Sequence, residues 1–185
     1  MRGPVPEFRL SRTFHAGMGL LWQAFTEPER LRLWWGPKGF TWVLGEMDLR
    51  PGGTFLYGMQ PPGGLGAAFT MWGKWTFREI TPPTRNAAGE VTPGHLAFLA
   101  SFTDAGGTPI RHPMNPTWPL EVLSTVSLVK EGPGRTRVDS TGVPFEATVE
   151  EQATFAAGLE GMRLGFSGTW DQLADYLTRI QGPPA

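Results

Sequence analysis

Large apolar side chains recur at steps of three and four near the C-terminal end: Phe155, Leu159, Met162, Phe166, Trp170, Leu173 and Leu177. That spacing predicts one long amphipathic helix from Thr148 to Ile180. Thr148 with Glu151 fits a capping box at its start, and Gly182-Pro183 a stop at its end. Gly158, Gly161, Gly165 and Gly168 form a second stripe beside the apolar one. An interior glycine costs a helix about 1 kcal/mol relative to alanine. The glycine face is therefore expected to let a neighbouring backbone approach closely or to leave room for a cavity, with a kink at the Gly158–Gly161 pair as an alternative.

Alternation takes over elsewhere. Phe8, Leu10 and Phe14 interleave with polar residues and predict a first strand over residues 5–14. Met18–Thr26 places Leu21, Trp22 and Phe25 on one helical face. Thr26, Pro28 and Glu29 read as the start of a second short helix that runs through Leu31, Trp34 and Trp35 to Gly36-Pro37. Strands follow at Phe40–Leu49, Thr54–Met59, Met71–Ile80, around Leu96–Phe102, at Glu121–Lys130 and at Arg135–Thr141. Phe55, Tyr57 and Met59 share a face, as do Met71, Gly73, Trp75 and Phe77. Residues 60–69 form a loop whose GGLG is no nucleotide fingerprint, because no helix follows it. Residues 104–119 are a long Pro-rich connection, of the length that often serves as a lid or binding loop. A curved antiparallel sheet gripping the long helix would bury every apolar stripe, so the expected class is α+β.

Composition narrows the picture. With 185 residues the chain fits a single domain, with its core over about 8–178. It has no cysteine, so neither disulfides nor thiolate chemistry operate, and a cytoplasmic location is the expectation. A formal net charge of −1, with Lys and Arg scattered, argues against a nucleic-acid partner. No apolar run is long enough to span a membrane, and the N-terminus lacks a signal-peptide core. Eight Trp and twelve Phe supply an aromatic core or an aromatic cavity.

LRLWWGP at Leu31–Pro37, DLRPGGTF at Asp48–Phe55, GKWTFREITPP at Gly73–Pro83, the Leu120–Thr141 strands and the Gly161–Leu177 helix together resemble one known group. It is the AHSA1-like branch of the START-type helix-grip superfamily, named for the activator of the Hsp90 ATPase. The resemblance covers residues from about 8 to 178. It implies a sheet of about seven antiparallel strands around the C-terminal helix, two short helices after the first strand, and a hydrophobic tunnel between sheet and helix. Members bind lipids, sterols, hormones or aromatic polyketides, and a few catalyse on them.

The candidate ligand contacts are Trp34, Trp75, Phe77, Phe98, Phe102, Trp118, Met162, Phe166 and Trp170. Of the Trp34–Trp35 pair, one is expected in the core and the other at a cavity mouth. Glu46 or Asp48, if turned inward, would be general acids or bases; beside Arg50 they read more simply as a solvated strand face. Ser124 and Ser140 are placed to offer hydroxyls to a cavity, while Glu160 and Arg163 read as exposed charges. His15, His95 and His112 follow no metal spacing, so no metal and no cofactor is expected. His112, in the Pro-rich loop beside Arg111, is the one candidate proton shuttle. The leading expectation is binding of a small hydrophobic molecule without chemistry. Two alternatives stand beside it. One is a cyclase or aromatase acting on a polyketide-like or aromatic compound, which needs at least one buried titratable group and would be favoured by Glu46, Asp48 or His112 in the cavity. The other is a cochaperone-like module, which requires an apolar patch around Trp34, Trp35 and Trp118. Unpaired strand edges leave room for a homodimer.

Overall fold

The computed structural model describes residues 4–63 and 69–182. The chain runs β1 (Phe8–Phe14), α1 (Met18–Thr26), α2 (Pro28–Leu31), β2 (Thr41–Met47), β3 (Thr54–Gln60), β4 (Met71–Thr81), β5 (Thr84–Arg85), β6 (Val91–Thr92), β7 (Gly94–Phe102), β8 (Glu121–Gly132), β9 (Arg135–Phe145) and α3 (Val149–Gln181). Seven strands form one antiparallel sheet in the order β1-β9-β8-β7-β4-β3-β2. Consecutive strands joined by hairpins stay adjacent, and β1 pairs last with β9, so the sheet's two outer edges are β1 and β2. The expected class and element order hold. Among the described residues no helix is long and apolar enough to cross a membrane.

The differences from expectation are local. Thr26 does not cap α2: its Oγ1 donates back to the Trp22 carbonyl at 2.7 Å, the backbonding of a helix C-terminus. The N-cap is Glu27, and α2 ends at Leu31 without continuing through Trp35. Pro82-Pro83 ends β4's ladder with β7, but the chain then makes a small ribbon, β5–β6, that no alternation announces. Part of the loop expected at 60–69 lies outside the described residues.

The long helix begins as its capping box requires. Glu151 N–H donates to Thr148 Oγ1 at 3.2 Å, and Thr148 N–H donates to Glu151 Oε2 at 2.7 Å. The helix then serves two separate packed regions. Its C-terminal half places Trp170, Leu173, Tyr176 and Leu177 into the main core with α1, α2 and the centre of the sheet. Its N-terminal half places Phe155 into a small cluster with Phe8 and Val122, against which Leu159, Met162 and Phe166 pack half-buried. The four glycines do something other than expected. Gly161, Gly165 and Gly168 lie on the solvent side, and a side chain built on any of them would meet nothing within 4 Å. The glycine stripe is thus no wall of a cavity. Gly158 differs, because a Cβ there would come within 2.8 Å of the Trp118 ring.

Candidate functional site

Between the two packed regions the helix and the sheet part, leaving a cavity of about 270 Å³. That is near the small end of the roughly 300–1,000 Å³ usual for ligand sites. Its walls include residues of both clusters: Trp75, Phe98, Val126 and Trp170 from the main core, and Val122, Trp118, Met162 and Phe166 from the smaller one. The lining meets solvent at Leu120, its one exposed member, so the mouth lies where the Pro-rich connection enters β8.

Trp35 reaches the cavity because the chain is pinned on either side of its ring. The Trp42 indole donates to the Trp35 carbonyl at 3.0 Å. Thr169 Oγ1 and Gln172 Nε2 of α3 both donate to the Gly36 carbonyl, at 3.2 and 2.7 Å. Gly36 has φ +113°, and a Cβ there would come within 2.5 Å of Met59 Sδ, so only glycine suits the corner. Trp34, one residue earlier, points the other way. It is 2% exposed, donates to the Ala24 carbonyl at 3.1 Å and packs edge-on against Phe25.

Tyr57 enters by a different device. Two aromatic-glycine pairs, Tyr57-Gly58 and Trp72-Gly73, face each other across β3 and β4, with Tyr57 opposite Gly73 and Gly58 opposite Trp72. Each ring lies over the glycine of the other strand. A Cβ on Gly73 would come within 2.4 Å of Tyr57 Oη, and one on Gly58 within 2.5 Å of the Trp72 ring. The strand alternation puts Trp72 on the outer face and Tyr57 on the inner one. Enclosure of the phenol pushes its pKa up to about 12, and a hydrogen bond from the Trp35 indole partly offsets that rise.

Around the mouth, the connection from β7 to β8 is tied to the start of α3. Arg111 pairs with Glu151 and donates to the Trp118 carbonyl. Thr117 and Thr154 hydroxyls lie 2.9 Å apart, and the Trp118 ring packs against Phe155 and Gly158. Glu151 is the better held of the ion pair. The backbone N–H of Thr148 and the Arg111 guanidinium together outweigh its partial burial and hold its carboxyl below the ordinary carboxylate range.

Of the nine residues expected to face a ligand, Trp75, Phe98, Phe102, Trp118, Met162, Phe166 and Trp170 line the cavity. Trp34 and Phe77 do not. Both are core, Phe77 at 1% exposure and in edge-on contact with Trp75 and Phe98. Trp35 and Tyr57 take their place, and Ser124 and Ser140 do reach the lining. Glu46 and Asp48 are exposed, the latter 2.8 Å from Arg50. His112 stands edge-on to Phe102 at 4.5 Å and accepts from Met114 N–H, outside the lining. Among the described residues, the lining holds no Asp, Glu, His, Lys or Arg. Trp34, Trp35 and Trp118 do not form a surface patch, since Trp34 is buried and Trp35 and Trp118 line the cavity.

A curved antiparallel sheet wrapped about a long C-terminal helix, with an aromatic cavity between them, is the helix-grip arrangement of START-type domains. The comparisons agree. The chain belongs to the family described as Activator of Hsp90 ATPase homolog 1-like protein, whose profile matches residues 15–178. Among solved structures it is similar to protein Ms6760 from Mycobacterium smegmatis, with 23% identity, 94% of this chain and 91% of that one covered, and a TM-score of 0.68. A protein from Arthrobacter aurescens is 26% identical over 95% of this chain and 87% of its own, with a TM-score of 0.69. Protein NE0264 from Nitrosomonas europaea is 21% identical over 96% and 97%, with a TM-score of 0.64. No curated protein matches the chain.

Proposed function

We propose that the protein binds a small, mainly apolar molecule in the space between α3 and the sheet. The observation that carries this reading is the cavity itself. Cores pack to near-crystalline density, and a void costs stability in proportion to its volume. A void of about 270 Å³ ringed by large aromatics is costly as structure and suited to a flat apolar guest. The proposed contacts are Trp35, Tyr57, Trp75, Phe98, Phe102 and Trp170 on the inner walls, with Trp118, Met162 and Phe166 toward the mouth.

Native mass spectrometry of gently purified protein tests this against its denatured mass. The expected result is an added mass that leaves on denaturation. The lining residue Ala100 is small and half-buried, so Ala100→Met fills the space from within and should remove the adduct while leaving the melting temperature unchanged or raised. An apo mass, together with no heat of binding for neutral aromatic compounds, would overturn the reading.

A further inference from the structure

The cavity carries one ionisable group, Tyr57, and three observations describe its setting. First, its place is built. Oη lies where a Gly73 side chain would otherwise stand, so the sheet gives up a side chain on β4 to admit the phenol. Second, Tyr57 lines the cavity and its Oη donates to no described residue, which leaves its proton free for a guest. Third, the hydroxyls of Ser124 and Ser140 lie on β8 and β9, three and four strands away across the sheet. At about 4.8 Å between strands, the nearer is roughly 14 Å from β3 along the curve. Ser101 of β7 also borders the cavity, but it stands opposite Lys74, out of step with the Tyr57–Gly73–Phe102 row of the inner face. The rest of the wall between is aromatic or aliphatic.

We propose that Tyr57 Oη, seated over Gly73, is the ligand-orienting donor of the cavity and selects an uncharged aromatic guest with an acceptor oxygen at one end. This rests on the binding reading above and adds a chemical class to it. An oxygen acceptor on the guest takes the proton that Tyr57 Oη offers. A guest without an acceptor leaves that proton unmatched. A carboxylate would lose its hydration to a wall whose polar groups are all neutral. The same walls offer no anion for an amine.

The test is calorimetry with naphthalene, acetylnaphthalene and naphthoate at neutral pH, on the wild type, Tyr57→Phe and Gly73→Ala. Tyr57→Phe keeps the ring and deletes only the hydroxyl. Gly73→Ala keeps the hydroxyl but evicts it, since the new Cβ would sit 2.4 Å from Oη. In the wild type, naphthoate should bind at least about tenfold more weakly than acetylnaphthalene. Both variants should weaken acetylnaphthalene about three- to tenfold, the worth of one neutral hydrogen bond, and leave naphthalene within about twofold. Equal losses for both neutral probes, or none, would overturn the role of Tyr57. Naphthoate binding as tightly as acetylnaphthalene would overturn the charge selection. If naphthalene and acetylnaphthalene bind the wild type equally and tightly, the cavity reading survives and this inference falls. If no probe binds the wild type, the cavity reading falls and takes this inference with it.

Discussion

Alanine substituted at the four glycines of α3 should give opposite signs within one helix. At Gly161, Gly165 and Gly168 an added Cβ meets nothing within 4 Å. Each change therefore yields only the helix-propensity gain, about 0.8–1 kcal/mol, and the triple variant gains roughly 2–3 kcal/mol. For a chain of this length, 1 kcal/mol shifts the melting temperature by about 2–4 °C, so the triple variant should melt roughly 5–10 °C higher. Gly158→Ala has the same propensity gain, but its methyl would stand 2.8 Å from the Trp118 ring. Either the ring moves or the helix does, and overpacking of that kind costs about 1–3 kcal/mol. The net is zero or destabilising by up to about 2 kcal/mol. Circular-dichroism melts and urea titrations measure both signs. Tryptophan emission reports whether Trp118, at the cavity mouth, has left its seat. A stabilised Gly158→Ala with unchanged emission would refute the packing of Trp118 on the helix. A triple variant with no gain would refute the solvent exposure of the glycine face.

Two further outcomes follow from the titrating groups. Glu151 has its carboxyl held below the ordinary range, so it adds stability above the unfolded value of about 4.3 and loses that contribution as pH falls through the native value. The melting-temperature gap between wild type and Glu151→Gln should therefore be full at neutral pH and close in acid below about pH 4; a gap independent of pH would refute the carboxylate's role. Tyr57 shifts the opposite way. Its raised pKa stabilises the fold below the unfolded value of about 10, and that contribution is lost as pH rises toward about 12. Alkaline titration of phenolate absorbance should show a late step near pH 12 that Tyr57→Phe abolishes; an unchanged titration curve would refute the enclosure.

The fold was legible because its signals are periodic. The stripe from Phe155 to Leu177 and the alternation in each long strand depend only on which face is buried, and the capping box at Thr148 is a local pattern. The candidate site was legible to the extent that it shares those faces, which is why seven of nine expected residues meet the cavity. Periodicity does not separate a core face from a cavity face. Phe77 and Trp75 lie on the same side of β4, two residues apart, and only the path of α3 above them decides which is covered by protein and which by space. Nor does it choose between Trp34 and Trp35, whose directions follow from the Gly36 corner and its bonds to α3. The glycine stripe misled because glycine at helical spacing looks alike on either side of a helix. A signal for Tyr57 did exist. Two aromatic-glycine dipeptides on successive strands of a hairpin will cross-pair in antiparallel register, each ring over the other's glycine.

That cross-pairing also bears on how a hydroxyl comes to stand on the β3 side of the void. Aromatic rings normally lie against neighbouring side chains, and Trp72 on the outer face uses Gly58 simply to lie flat. Tyr57 uses Gly73 to reach further, carrying a hydroxyl in among the rings of Trp75, Phe98 and Phe102. A half-buried hydroxyl that faces apolar walls without an acceptor is less well matched there than the bare ring of a phenylalanine. The glycine on β4 gives up further β propensity to admit it. Two adjacent residues thus lower the stability of the empty fold in the same place. The hydroxyl's share is recovered when something with an acceptor oxygen fills the space. For that reason Tyr57→Phe should stabilise the empty protein while weakening its hold on an oxygen-bearing guest. Simple core packing offers no such trade.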